Sequence, residues 1–199
     1  AVRAYDTSTC PPTAGAIKRN AYANQFSPVA LGHQMLMARR MCEAGCGFVT
    51  VTAPGWDMHG GGKEFTMADG LATLTPAVDK AVSAFLEDVD ERGLSDQILL
   101  IVTGEFGRTP QVKSNGGRDH WPRLSTLAFA GGGLKMGQVI GKSDARGGEP
   151  KSRPVTLDQL LGTVLHATFD MPALRSRPGL SRDFISTFDR VEPIRELFG

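Results

Sequence analysis

The sequence predicts an α/β fold in which a mainly parallel sheet is flanked by helices. The strongest observation is the unbroken β-favouring run over 98–102, which is typical of a strand buried on both faces of a parallel sheet. A second is the stripe of apolar residues at three- and four-residue steps over 67–92, which predicts a long amphipathic helix. The order of elements is the third observation. Helices alternate with strands along the chain, as they do in layered α/β folds.

Each element has its own local signal. Apolar spacing that ends at Gly45 predicts a helix over 28–44, and Thr156 is placed to cap a helix that reaches about 169. Short β-favouring segments predict the remaining strands. We expect these strands at 48–52, 125–130 and 138–140. A lead-in is expected over 1–27, and a short terminal helix over 191–198.

Composition excludes several classes of protein. The 199 residues carry a net charge of +1, which gives no electrostatic case for binding nucleic acid. No apolar run is long enough to span a membrane. The three cysteines Cys10, Cys42 and Cys46 argue by their odd number against a disulfide framework, and their spacing does not match a zinc finger.

Ligand-type residues follow the predicted strands. Asp57 and His59 come after the strand at 48–52, and Glu105 comes directly after the run at 98–102. Asp119 and His120 precede the next strand. Ligands of open parallel sheets bind beyond the carboxyl ends of the strands, so we expect these residues to share one polar site at one sheet edge.

A divalent ion that catalyses hydrolysis is bound by neutral imidazoles and carboxylates. Arg108 and Arg118 are suited to hold an anionic ester group by hydrogen bonds. Other interpretations remain open. Asp57 is equally suited to cap a turn or a helix. Glu105 is suited to form an ion pair with Arg108, and His120, next to Trp121, is suited to be a stacked, hydrogen-bonded loop residue. The two other histidines, His33 and His166, lie in predicted helices and are expected to be structural, with an approach of His166 to the site as the alternative.

Longer motifs carry a family resemblance between about residues 28 and 170. They are Ala38-Arg39-Arg40, Glu43-Ala44-Gly45, Gly55-Trp56-Asp57-Met58-His59-Gly60, Gly104-Glu105-Phe106-Gly107-Arg108-Thr109-Pro110, Gly117-Arg118-Asp119-His120-Trp121-Pro122, Ala130-Gly131-Gly132-Gly133 and Arg153-Pro154-Val155-Thr156. In order and spacing they resemble the bacterial domain-of-unknown-function 1501 family. That family is similar to a branch of the alkaline phosphatase and sulfatase superfamily.

The resemblance implies an alkaline-phosphatase-like sheet and a binuclear-type metal site. It implies that Asp57, His59 and His120 bind one metal and that Glu105 faces a second. Asp119 would orient His120 from outside the ligand set. Zinc is the first expectation for the metal, with calcium, magnesium or manganese as alternatives.

One part of the superfamily pattern is missing. An early strand that ends in a ligand Asp and a nucleophile is not found before residue 28, and no nucleophile is assigned to Cys10-Pro11-Pro12-Thr13-Ala14. The chain also begins with Ala. We therefore expect 1–27 to be a lead-in or loop, and 28–199 to be the carboxyl-terminal part of a single domain, incomplete at its amino-terminal side.

Two functions from different classes follow from these observations. The first is a metal-dependent hydrolase of sulfate or phosphate esters, with a small anionic ester or a sulfated or phosphorylated glycan as substrate. The alternative is a non-catalytic metal-binding or surface-associated module of the same fold. A third interpretation is that the chain is a truncated fragment that has no function of its own. The resemblance implies an extracytoplasmic location, either periplasmic or secreted.

Overall fold

A computed structural model describes residues 2–10, 28–61 and 64–199. The chain divides into two compact units, one formed by 1–94 and 106–122 and the other by 95–105 and 123–199. The boundary between them is crossed at Glu105 and Phe106. Along the described residues, no helix has both the length and the apolar character needed to span a bilayer.

Two packed helices form the body of the first unit. Helix α1 spans Pro28–Glu43, and the chain leaves it through Gly45 with a φ of 97°. Helix α2 spans Met67–Glu91, and its N-cap Thr66 accepts a hydrogen bond from the backbone N–H of Asp69. Both helices are where the apolar spacing predicts them. Their buried faces share a core that includes Leu31, Met35, Leu36, Leu74, Ala77, Ala81, Phe85 and Val89.

A buried ion pair joins these helices. Arg39 of α1 donates from Nε to Asp88 of α2 over 2.7 Å, and each side chain is only 3% exposed. Asp88 also accepts from Tyr5 over 3.1 Å and from Arg92 over 2.8 Å. Burial raises the pKa of Asp88, but the hydrogen bonds from Arg92 and Arg39 outweigh it and keep the carboxyl pKa below its ordinary value. Tyr5 is itself fully buried, so the segment around it is anchored to the helices.

The first unit also contains a short hairpin. Strand β2, Gly107–Arg108, pairs in antiparallel register with strand β3, His120–Trp121. Arg108 is opposite His120 in this register. The backbone of Thr109 extends the pairing, because its N–H donates to the carbonyl of Asp119 over 3.0 Å.

The second unit is built on one antiparallel pair. Strand β1, Leu99–Thr103, pairs with strand β4, Leu127–Gly131, and Ile101 lies opposite Phe129. The turn after β4 contains three successive glycines with positive φ. The N–H of Gly132 donates to the carbonyl of Ile98 over 3.0 Å, which ties that turn to the residue before β1.

Short helices complete the second unit. Helix α3, Leu157–Thr168, begins at Thr156, which caps it as the sequence predicts. The structure shows that Gln159 completes a capping box there. The remaining helices are α4 (Met171–Ser176), α5 (Arg182–Arg190) and a 3₁₀ turn (Arg195–Leu197). The 3₁₀ turn falls within the predicted terminal helix at 191–198. The core of this unit is formed by Leu134, Ile194 and Leu197, with Leu99, Phe129, Ile140, Val155, Ala167 and Phe198 packed against them.

The predicted fold class is wrong. Among the described residues there is no mainly parallel sheet and no alkaline-phosphatase-like core, only two short antiparallel two-stranded sheets. The predicted strand at 48–52 pairs with no other strand in the part of the chain that the structure describes, and Phe48 in it is 82% exposed. The segment 138–140 is likewise outside any described strand. A β-favouring sequence becomes a strand only where another backbone supplies the ladder.

Candidate metal site

Two loops of the first unit meet side by side at the candidate site. The N–H of Arg118 donates to the carbonyl of Met58 over 3.0 Å, and the Asn115 side chain donates to the carbonyl of His59 over 3.2 Å. These contacts connect the loop that contains Asp57 with the segment that leads into β3. Strand β3 then places His120 next to that loop. The proximity of the site residues therefore comes from loop-to-loop hydrogen bonds and not from a sheet edge.

Glycine is required where the two loops cross. A Cβ built on Gly117 would lie 1.8 Å from the carbonyl oxygen of His59, far inside any tolerated contact. A Cβ on Gly60 would lie 2.6 Å from the carbonyl oxygen of Asn115, and Gly60 also has a φ of 74°. The glycine-flanked motifs thus have a steric reason, because a side chain at either position would push the loops apart.

Three potential ligand atoms converge at this crossing. Nε2 of His59 lies 2.9 Å from Oδ1 of Asp57, and Nε2 of His120 lies 3.0 Å from the same oxygen. The two Nε2 atoms are 3.0 Å apart. The side chains of Asp57, His59 and His120 are 34%, 25% and 48% exposed, so solvent reaches all three. They are also the described residues that group as a potential metal site.

Asp119 favours the ligand form of His59. Its Oδ1 lies 3.3 Å from Nδ1 of His59 and accepts from Lys113 Nζ over 2.6 Å. A carboxylate at Nδ1 holds the ring proton there and leaves a lone pair on Nε2. The hydrogen bond from Lys113 lowers the pKa of Asp119 below its ordinary value, which keeps the carboxylate charged. The sequence motif suggests His120 as the partner of Asp119, whereas the hydrogen bond is made with His59.

The donor set fits a divalent ion. Without a metal, an imidazole N–H can donate to the carboxylate oxygen or to the other ring. With the ring protons on Nδ1, both Nε2 atoms and Asp57 Oδ1 present lone pairs to the same point, and a cation there would stabilise all three. Bonds of about 2.0–2.2 Å at right angles would place neighbouring donors about 2.9 Å apart, and tetrahedral angles would place them about 3.3 Å apart. The observed separations of 2.9 to 3.0 Å match the closer of these values.

Arg108 supplies positive charge at the edge of the site. Its Nη2 donates to Asp57 Oδ1 over 2.7 Å and to the carbonyl of Trp56 over 3.3 Å. Partial burial raises the pKa of Asp57, but hydrogen bonds from His120 and Arg108 outweigh it, so the carboxyl pKa is below its ordinary value. Phe106 lines the same edge, with its ring 4.3 Å from the ring of His120 and 5.7 Å from the Arg108 guanidinium carbon. Asp57 is therefore ionised at neutral pH and available as a ligand.

The family comparison covers nearly the whole chain. A family model described as a protein of unknown function, DUF1501, matches residues 8–193. The chain belongs to the DUF1501 family. This confirms the family resemblance carried by the sequence motifs. No curated protein and no solved structure was found to match the chain.

The other predicted site residues of this DUF1501 chain lie in different surroundings. Glu105 is exposed, belongs to the second unit, and is not part of the group formed by the potential ligands. Arg118 is in the first unit, and its Nε is buried without a hydrogen-bond partner among the described residues. His33 is exposed on α1, and His166 on α3 contacts the edge of Phe198.

Lys113 is the site residue that sequence reasoning missed in this DUF1501 chain. The segment 113–115 has the composition of a simple turn, and the N–H of Gly116 does donate to the carbonyl of Lys113 over 2.9 Å. The turn also directs the ammonium group to Asp119. A Lys six residues before an Asp is too common a spacing to stand out in a single sequence.

Proposed function

We propose that this chain contributes the metal-binding loops of a divalent-metal-dependent hydrolase of sulfate or phosphate esters. The observation that carries the proposal is the convergence of Asp57 Oδ1 with the Nε2 atoms of His59 and His120, at separations of 2.9 to 3.0 Å. Zinc is the first candidate because it favours imidazole and carboxylate ligands, with manganese, magnesium or calcium as alternatives.

The roles of the residues follow from their chemistry. A bound divalent ion would supply Lewis acidity to an ester oxygen. Asp57 would hold that ion as a carboxylate, and the two imidazoles would hold it through Nε2. Asp119 keeps the His59 ring in the required tautomer and orientation. The three ligand side chains are partly exposed, which is what access for a substrate requires.

Arg118 and Arg108 would receive the anionic part of the ester. A buried guanidinium nitrogen without an acceptor is unfavourable, and a sulfate or phosphate oxygen is a good acceptor for it. Arg118 also directly precedes Asp119 and His120 in sequence. A small anionic ester or a sulfated or phosphorylated glycan presents the oxygens that such a donor requires.

The relation to the alkaline phosphatase and sulfatase superfamily forms part of this proposal. It is supported by the loop residues alone, since the sheet expected with it is not found among the described residues. Glu105 as a ligand of a second metal and an extracytoplasmic location are further parts of the same proposal, and both derive from that resemblance.

A non-catalytic metal-binding or surface-associated module is the second candidate. It is favoured by the absence of an assigned nucleophile among the described residues. Thr109 carries a hydroxyl in the hairpin of the site, but that hydroxyl donates to the carbonyl of Gln111 and accepts from the N–H of Asp119. Its hydrogen bonds are those of a structural residue.

Metal binding and turnover distinguish these candidates. Zinc binding is measured by calorimetry on the purified chain, on Asp57→Asn and His120→Ala, and on His33→Ala as a control for an exposed histidine outside the site. We expect both site variants to lose at least about 100-fold in affinity and the control to retain it. Failure of the wild-type chain to bind any of the four metals would overturn both candidates.

Hydrolysis is measured with 4-nitrophenyl sulfate and phosphate on the whole protein that carries this chain. Metal-dependent turnover that is lost in His120→Ala supports the hydrolase. Metal binding without turnover of any ester supports the module and overturns the hydrolase.

A further inference from the structure

Arg108 binds the carboxylate oxygen that the candidate metal site requires. Its Nη2 is 2.7 Å from Asp57 Oδ1, and its Nη1 is 3.5 Å from His59 Nε2. The side chain is only 19% exposed. Two of the three potential ligand atoms are therefore already next to a permanent positive charge that the chain itself provides.

Two cations are not expected to share this oxygen without penalty. A divalent ion held by Asp57, His59 and His120 would face the guanidinium across a single carboxylate oxygen, and like charges this close disfavour each other. Partial burial of Arg108 limits the screening of this repulsion by water. Arg108 is therefore a competitor for Asp57 as well as a stabiliser of its charge.

We propose that Arg108 acts as an internal cation that competes with the metal for Asp57. Metal binding displaces the guanidinium from Asp57, and the displaced guanidinium is then available to a sulfate or phosphate group. The inference rests on the metal site proposed above and adds a form of regulation to it. Metal and oxyanion then bind cooperatively, since the ion releases the guanidinium and the anion holds it away from Asp57. By linkage, the oxyanion tightens metal binding by the same factor as the metal tightens oxyanion binding.

The first test is a set of zinc titrations by calorimetry. Arg108→Gln removes the competing charge and retains a hydrogen-bond donor, whereas Arg108→Lys retains the charge. Arg175→Gln is the matched control, because Arg175 forms an exposed ion pair with Asp189 in the second unit. Titration of His120→Ala measures zinc bound elsewhere, for example by Cys42 and Cys46, and is subtracted.

We expect Arg108→Gln to bind zinc on the order of tenfold more tightly than the wild type, and Arg108→Lys and Arg175→Gln to stay within about twofold of it. Unchanged or weaker zinc binding by a folded Arg108→Gln variant would overturn the inference and leave the proposed metal site standing. No zinc binding by either the wild type or Arg108→Gln would overturn both.

The second test rests on the wild-type chain, and Arg108→Gln serves as its control. Zinc titrations of the wild-type chain are compared in sodium sulfate and in sodium nitrate at equal ionic strength. We expect sulfate to tighten zinc binding by about fivefold or more, and Arg108→Gln to abolish that difference. Equal zinc affinity of the wild-type chain in the two salts would overturn the proposed displacement, whatever the stability of the variants.

Discussion

Replacement of Gly117 by Ala tests the loop crossing that brings the candidate ligands together. The added Cβ would lie 1.8 Å from the carbonyl oxygen of His59, whereas ordinary contacts begin at 3.4 Å, so the backbones must separate by about 1.6 Å. Overpacking of this kind costs about 1–3 kcal/mol. Loss of the neighbouring hydrogen bond from Arg118 to Met58 would add about 1 kcal/mol. We therefore expect Gly117→Ala to lower the free energy of unfolding by about 2–4 kcal/mol.

The same displacement separates the candidate ligands. His120 lies three residues beyond Gly117, and its Nε2 is 3.0 Å from Asp57 Oδ1. A shift of more than 1 Å between the loops exceeds what a metal site tolerates, so we expect zinc affinity to fall at least about tenfold. Urea unfolding and zinc calorimetry are the assays. Gly47→Ala is the control, since a Cβ there meets nothing within 4 Å. Wild-type stability and zinc affinity in Gly117→Ala would refute the steric argument.

Three further predictions concern the charged groups. Asp88→Asn leaves the buried Arg39 without its charged partner and should lower the free energy of unfolding by about 3–5 kcal/mol in urea titrations, while Asp79→Asn on the same helix should have little effect. Since the pKa of Asp88 is lowered in the fold, the stability contributed by its charge should be complete above the ordinary value of about 3.9 and be lost as pH falls through the lowered one. The drop in unfolding free energy on acidification should therefore be smaller in Asp88→Asn, and an equal drop in both proteins would contradict this. Lys113→Met removes the hydrogen bond to Asp119 and should weaken zinc binding about tenfold, whereas Lys113→Arg should restore it. The ¹⁵N signal that reports the tautomer of His59, the imidazole that Asp119 contacts, should shift in Lys113→Met. Equal zinc affinities of Lys113→Met and the wild type would show that Lys113 has no positioning role.

The helices were predictable from the sequence because their signals are local. The apolar spacing of α2 and the N-cap residue Thr156 each indicate a helix within a few residues, and both helices are present. The strands depend on distant partners. The run at 98–102 correctly indicates a strand, but its apolar composition does not encode the direction of its partner, and β4 pairs with it in antiparallel register. At 48–52 the β-favouring composition is present, but no strand within 2–10, 28–61 or 64–199 pairs with it.

The grouping of the ligand residues was predictable for a reason independent of the sheet. Asp57 and His59 are two residues apart in a loop bounded by glycines, and such a loop allows a second backbone to approach closely. The segment with Gly117 and His120 has the same character, and the structure places these two segments in contact. Glu105 lacks a comparable local signal and was predicted from its position after a strand and from the family resemblance. That strand belongs to the second unit, whereas the ligands belong to the first.

The two site arginines differ in the hydrogen bonds that each one makes. From sequence, Arg108 and Arg118 are equivalent candidates for holding an anion. In the structure, Arg108 is bonded to Asp57, while the Nε of Arg118 has no partner among the described residues. In the proposed function, Arg118 would receive an oxyanion without giving up a hydrogen bond from Nε, whereas Arg108 would first give up its hydrogen bond to Asp57. Arg118 is therefore the residue whose replacement by Gln should weaken sulfate binding in the absence of metal, and Arg108 the residue whose replacement should matter only when metal is bound.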